Sequence, residues 1–217
     1  MSNLDVDVQT VCTMVRARMV PQGRTIIAIA GPLASGKSTL AEAVVRELVS
    51  NEEQSEPSEV PRAILLPMDG YHLDNRLLEA TGRLDRKGAP DTFDAAGFCA
   101  GVCRLAEPSY EAFFPMFDRN LDMSIAQAIA VHPDTPVVVV EGNYLLLNSE
   151  PWASLSDVYA ATIFISPSFA TLRARLIQRW VDYGLEPEAA IQRAQSNDLP
   201  NAEYVLENSL EADLVLN

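Results

Sequence analysis

The apolar run Arg24-Thr-Ile-Ile-Ala-Ile-Ala30 passes without a break into Gly31-Pro-Leu-Ala-Ser-Gly-Lys-Ser38, and a helical stretch from Lys37 to Ser50 follows. A strand, the pattern G-x-x-x-x-G-K-[ST] and then a helix form a phosphate cradle. The glycines let successive N–H groups turn inward around phosphate oxygens, and the helix presents its positive end to the same anion. Lys37 is placed to neutralise the outer phosphates and to assist their transfer, and the Ser38 hydroxyl to ligate a magnesium ion. Gly31, Ala34, Ser35, Gly36, Lys37, Ser38 and Thr39 are therefore the candidate nucleotide-binding residues. The expected cofactors are ATP and Mg2+.

Such a loop works at the carboxyl end of a strand in an open parallel sheet, where ligands of this fold class collect. The remaining pattern supplies the sheet. Ala63-Ile-Leu-Leu66 reads as a second strand running to about Met68. Val137-Val-Val-Val140 reads as a central one, because a β-branched run without alternation implies burial on both faces. Ala161 to Ile165 and Ala212 to Leu216 complete the set. Helices are predicted over Val8–Met19, Asp94–Ala106, from the cap Ser168 to Tyr183, and over about Pro187–Ser196. Asn51 to Glu59 reads as an acidic surface loop, and Phe113–Val131 as either short strands or a flap. The expectation is a single α/β domain over 1–217: a three-layer fold with a mainly parallel sheet, helices on both faces, and a small helical lid at about 168–184.

Net charge narrows the partners. At −14 the chain is unsuited to general binding of nucleic acid or anionic membrane, and a small-molecule substrate is expected instead. No apolar run approaches the ~20 residues of a membrane span. Three cysteines without CxxC spacing, and an N-terminus without the basic and apolar pattern of a leader, give the expectation of reduced thiols in the cytoplasm. A homodimer stays open. Of the sixteen basic residues only Lys37 and Lys87 are lysines, which invites a site-specific role for both.

The other strand ends carry candidate chemistry. The second ends in Met68-Asp69, the central one in Glu141-Gly142-Asn143. Glu141 is the candidate second magnesium anchor beside Ser38, the alternative being a carboxylate that caps a turn. Asp69 is the candidate base for an acceptor hydroxyl, with Gly70 turning the chain to keep bulk away. Tyr71 or His72 could bond another substrate oxygen, unless His72 merely satisfies a backbone carbonyl. On the Ser168 helix, Phe169, Leu172, Leu176, Trp180 and Tyr183 form an apolar stripe. Arg175 and Arg179 flank it as lid arginines for the transferring phosphoryl, or else as surface ion-pair partners. Arg86 and Lys87 in Arg86-Lys-Gly-Ala-Pro-Asp-Thr-Phe-Asp94 are candidate acceptor contacts, against a plain solvated loop.

Taken together, GPLASGKST at 31–39, MDGYHLDN at 68–75, RKGAPDTFD at 86–94, FPMFDR at 114–119, VVVEGNYLLL at 138–147, RARLIQRW at 173–180 and NDLPNA at 197–202 resemble the phosphoribulokinase, uridine kinase and pantothenate kinase branch of P-loop kinases. Within that branch the chain is most similar to bacterial proteins described as fructose transport system kinases. The resemblance covers nearly the whole chain. It implies that Asp69 accepts the proton of the substrate hydroxyl, that Glu141 lies near magnesium, that the arginine helix is the lid, and that Asn201 lies near the adenine. Gly70-Tyr71-His72 departs from the uridine kinase pattern and is more like the pantothenate kinase and phosphoribulokinase versions. A pantothenate kinase's N-terminal extension is missing. A sugar-like acceptor, with fructose as one case, is therefore the first expectation, and a pantothenate- or nucleoside-type kinase the second. Asp69, Tyr71, His72, Arg86, Lys87, Glu141 and Asn143 form the candidate acceptor set.

Two other classes compete. A GTPase-like switch would carry D-x-x-G after a central strand and N-K-x-D for guanine, and the sequence has neither. An ATP-binding regulatory protein without turnover would not need Asp69, Glu141, Lys37 and the lid arginines together. Lys37→Ala should weaken triphosphate binding and slow turnover. Binding measured by calorimetry, alongside the rate, checks the cradle assignment.

Overall fold

A computed structural model describes residues 3–21, 23–50, 60–107 and 109–217, so the acidic stretch 51–59 lies outside the described residues. The elements are α1 (Asn3–Arg18), β1 (Thr25–Ala30), α2 (Lys37–Ser50), β2 (Ala63–Pro67), α3 (Asn75–Ala80), α4 (Ala95–Leu105), β3 (Ala112–Asp118), β4 (Met123–Val131), β5 (Val137–Gly142), β6 (Ala161–Ile165), α5 (Phe169–Asp182), α6 (Pro187–Arg193), α7 (Leu199–Asn208) and β7 (Leu214–Leu216). The main sheet runs β2-β5-β1-β6-β7 with every pairing parallel.

β1 and β5 lie at the centre, and every residue of both is buried. Their side chains divide by the period of two that a strand imposes. Ile27, Ile29, Val137 and Val139 pack with α1 and α2 on one face, whereas Ile26, Ala28, Val138 and Val140 join Phe98, Val102, Tyr144 and Trp152 on the other. The α1 residues Val8, Val11, Cys12 and Val15 are buried as their spacing predicts, and Met19 falls just beyond the helix, exposed. Cys12, Cys99 and Cys103 are free thiols. No helix among the described residues is long and apolar enough to cross a membrane.

The stretch 113–131 resolves into an antiparallel hairpin of β3 and β4 with an irregular register between Phe114 and Met116, where Pro115 falls. Proline has no N–H to give a ladder, so a bulge is where a strand can hold it. Two helical segments escape the sequence reading. α3 is short and capped by Asp74, which accepts from the Arg76 amide at 2.9 Å. Beyond α6 the chain does not stop at Ser196: one π-helical turn over Ala194–Asp198 carries it into α7, with Pro200 just past that turn.

Gly70 has a different reason from the one the sequence suggests. A Cβ there would lie 2.2 Å from the Pro115 carbonyl oxygen, so glycine admits the hairpin backbone rather than clearing space for an acceptor. Gly70→Ala should push the hairpin off the turn that carries Asp69 and cost roughly 1–3 kcal/mol by overpacking. Urea denaturation of the variant beside the parent protein measures this.

Candidate active site

The cradle forms as its sequence predicts. Gly31 takes φ 149° and Gly36 φ 103°. Any Cβ on Gly31 would lie 2.6 Å from the Ile165 carbonyl oxygen, so β6 itself dictates the first glycine. Lys37 opens α2 and is 6% exposed. Its Nζ stands 3.6 Å from Glu141 Oε1, and the Ser38 hydroxyl donates to that same oxygen at 3.1 Å. Glu141 ends β5 and is buried, and burial raises its carboxyl above the ordinary range even with Lys37 adjacent. A divalent cation would relieve that cost by favouring the ionised form. Ser38 Oγ and Glu141 Oε1 are close enough to serve one hard cation. Among the described residues no cluster of three metal-ligating side chains exists. Magnesium takes one or two protein oxygens and completes its shell with phosphate and water, so Ser38 and Glu141 are the residues that could hold it.

The lid helix α5 is seated on the cradle. Its cap is the Ser168 hydroxyl, which accepts from the Thr171 amide at 3.2 Å. Leu172 and Leu176 are buried, and Leu176, Ile177 and Trp180 pack with Leu33 and Ala34 of the loop. Phe169 and Tyr183, at the ends of the predicted stripe, are exposed. Arg175 donates to the carbonyls of Ala34 at 3.2 Å and Ser35 at 3.0 Å, so it clamps the loop backbone instead of a surface carboxylate. Arg179 lies over the Tyr183 ring at 5.6 Å.

Two cavities open from this point. One, of about 640 Å³, is lined by residues 33–40 of the cradle and helix together with Arg175. The other, of about 530 Å³, lies between the hairpin, the 84–93 segment and the lid. Leu33, Asp69, Arg119, Asn143, Arg179 and Tyr183 line both. Asp69 thus stands where the two spaces meet. Asn143, 7% exposed at the same junction, has a side-chain Oδ1 without a hydrogen-bond partner among the described residues. A buried acceptor without a donor is costly, and a hydroxyl entering the junction would supply one.

His72 and Lys87 line the second cavity. The His72 ring lies 4.0 Å from that of Phe93 and 4.6 Å from that of Phe117, and its Nδ1 meets the Asp69 carbonyl at 2.8 Å. The backbone-carbonyl alternative is what the structure shows for Nδ1. Lys87 Nζ donates to Asn75 Oδ1 at 2.7 Å and Asp122 Oδ1 at 2.8 Å, and lies 4.9 Å from the Phe117 ring centre.

Three candidates are corrected. Tyr71 lines neither cavity. It packs edge-on against Phe98 at 5.2 Å, because the turn that exposes Asp69 rotates its neighbour into the core. Arg86 pairs with Asp91 at the surface and lines only an outer depression. Asn201 lines the second cavity rather than the cradle cavity, and donates to Asn197 Oδ1 at 3.1 Å.

Two further cavity residues, Arg119 and Asp198, carried no sequence signal of their own. Arg119 sits in FPMFDR with nothing to mark it, and reaches Asp69 Oδ2 at 2.8 Å only because the hairpin folds back. Asp198 is buried in the second cavity and accepts from the Trp180 indole N–H, and burial raises its carboxyl above the ordinary range. Its helical spacing was hidden by the extra residue of the π turn.

Known proteins are similar to this chain in sequence and in fold. The uncharacterised protein YggC of Escherichia coli is 37% identical over 196 residues, covering 90% of this chain and 78% of YggC. A Schizosaccharomyces pombe protein provisionally named a uridine kinase is 33% identical over 205 residues, covering 90% of this chain and 83% of its own. The crystal structure of a protein from Silicibacter sp. TM1040, provisionally described as a fructose transport system kinase, superposes with a TM-score of 0.87 at 41% identity over 97% of this chain and 98% of that one. No family model matches the sequence.

His72 gives a pH prediction. Burial lowers its pKa below the ordinary value, outweighing the neighbouring Asp69. The unfolded chain then binds the proton at a higher pH than the folded one. The stability tied to neutral His72 is therefore complete above about pH 6.5 and is lost as pH falls below it. Chemical denaturation at pH 7.5 and 5.5 should show a smaller acid loss for His72→Gln than for the parent.

Proposed function

We propose that this chain, which belongs to the uridine kinase and pantothenate kinase branch of the P-loop kinases, transfers the γ-phosphoryl group of ATP to a hydroxyl of a sugar-like metabolite held in the second cavity. The observation that carries this reading is Asp69, which lines both cavities. Phosphoryl transfer needs the acceptor oxygen in line with the γ-phosphoryl and a base that takes its proton late in the step. A carboxylate at the meeting of the two spaces suits that task. Lys37 and the unpaired backbone N–H groups of the loop that leads into α2 would hold the phosphates. Ser38 and Glu141 would hold magnesium, which supplies charge neutralisation at the phosphates when bound. Arg179, at the same junction, would face the charge that spreads over the transferring group. Arg175 would act indirectly, by fixing the loop through Ala34 and Ser35.

Hydrogen-bonding groups for a polyhydroxylated acceptor are at hand in His72, Lys87, Asn143 and Asn201. A nucleoside-type acceptor is the second reading. The aromatic wall of His72, Phe93, Phe117 and Trp180 favours it, since such rings stack on a planar base.

ATP turnover with magnesium, measured without acceptor and with D-fructose, other sugars, nucleosides and pantothenate in turn, tests the proposal. Stimulation above the basal rate by a sugar is the expected result, and stimulation by a nucleoside alone would select the second reading. Asp69→Asn should keep ATP binding and lose on the order of a hundredfold in kcat with the stimulating compound. Near-normal kcat at saturating substrates would refute the base assignment.

A further inference from the structure

The hairpin delivers a cation to the transfer junction. Arg119 is the first residue after β3, in a turn shaped by Asp118 Oδ1, which accepts from the amides of Asn120 at 2.9 Å and Leu121 at 3.0 Å. The hairpin is braced at both ends. Its Pro115 carbonyl seats against Gly70, and its Asp122 is tied through Lys87 to Asn75. From this frame Arg119 Nη2 donates to Asp69 Oδ2 at 2.8 Å, while Asp69 Oδ1 has no hydrogen bond among the described residues. One carboxylate oxygen is held and the other is left for an acceptor hydroxyl.

Charge gives the pair its purpose. Asp69 lines the cavity in which the cradle would hold a triphosphate, so a carboxylate and the γ-phosphoryl share one space. Two anions that share one space repel, the more so as the effective dielectric falls. Lys37 and Glu141 offset one another on the β5 side of the cradle. At Asp69 the offsetting charge is Arg119, which also lines both cavities.

We propose that Arg119 is a positioning residue: it fixes Asp69 through Oδ2 and cancels the repulsion between that carboxylate and the γ-phosphoryl of bound ATP. This rests on the kinase reading above. The bland alternative is a half-exposed ion pair, which is worth little by itself. The two differ in what happens to nucleotides of different length.

The test needs no acceptor. Calorimetry in low salt with magnesium compares ADP with the β,γ-imido analogue of ATP. Arg119→Ala should weaken the analogue about fivefold to tenfold and leave ADP unchanged, since only the analogue carries a γ group. Arg119→Lys should bind close to the parent. Adding Asp69→Asn to Arg119→Ala should restore parental affinity, because the repelling charge is gone. The loss should also shrink in about 0.5 M salt. Parent-like binding by Arg119→Ala, an equal loss for ADP, or a loss that persists in the double variant would each overturn the proposal. If the parent protein binds neither nucleotide, the kinase reading falls and takes this assignment with it. If the parent binds and Arg119→Ala is unchanged, only this assignment falls.

Discussion

The site hangs on the parallel pairing of β1 with β5. Their register sets Ala30 opposite Gly142 and Ile29 opposite Glu141, so the cradle leaves one strand at the level where the neighbour presents its carboxylate. A parallel ladder delivers both at the same end of the sheet, and burial on two faces denies either strand a slip, since shifting by one residue would exchange the two cores. Lys37, Ser38 and Glu141 meet there because the backbone leaves them no other place. β2, paired to β5 on its other side, brings Pro67 beside Glu141 and so Asp69 to the same rim.

What this frame does not supply, the less regular elements do. The hairpin of β3 and β4 stands outside the main sheet and closes over the Asp69 turn through backbone contact, which a side chain at residue 70 would forbid. The lid clamps the cradle through two carbonyl groups. Beneath it, Asn197 donates to the Lys87 carbonyl at 3.1 Å and Arg193 to that of Asp85 at 2.6 Å, which ties the π turn and α6 to the 84–88 segment. The second cavity is thus walled by elements that depend on each other, whereas the cradle is built on the core strands.

Glu141 shows how the chemistry constrains the packing. A carboxylate buried at a strand end is held by one amine 3.6 Å away and one hydroxyl, and its raised pKa records that these fall short of water. A core built for stability alone would place an apolar residue there, since buried pairs repay their desolvation poorly.

The sequence by itself determined the cradle, the order of the core strands' carboxylates and the helix that bears Arg175 and Arg179. These follow from local rules: glycine where backbone must approach, unbroken β-branched runs where a strand is covered on both faces, a serine cap before a stripe of period 3.6. Asp69, His72, Lys87 and Asn143 were also legible, since each stands in a short motif beside a strand or a glycine turn. Only the tertiary structure decided which of these share a cavity. It packed Tyr71 against Phe98 and paired Arg86 with Asp91, placed Asn201 on the wall of the second cavity, and set Arg119 against Asp69 across fifty residues of chain. The physical reason is that strand and loop conformation are fixed by neighbours in sequence, whereas the direction of a side chain off a hairpin turn or a π turn is fixed by what packs against it.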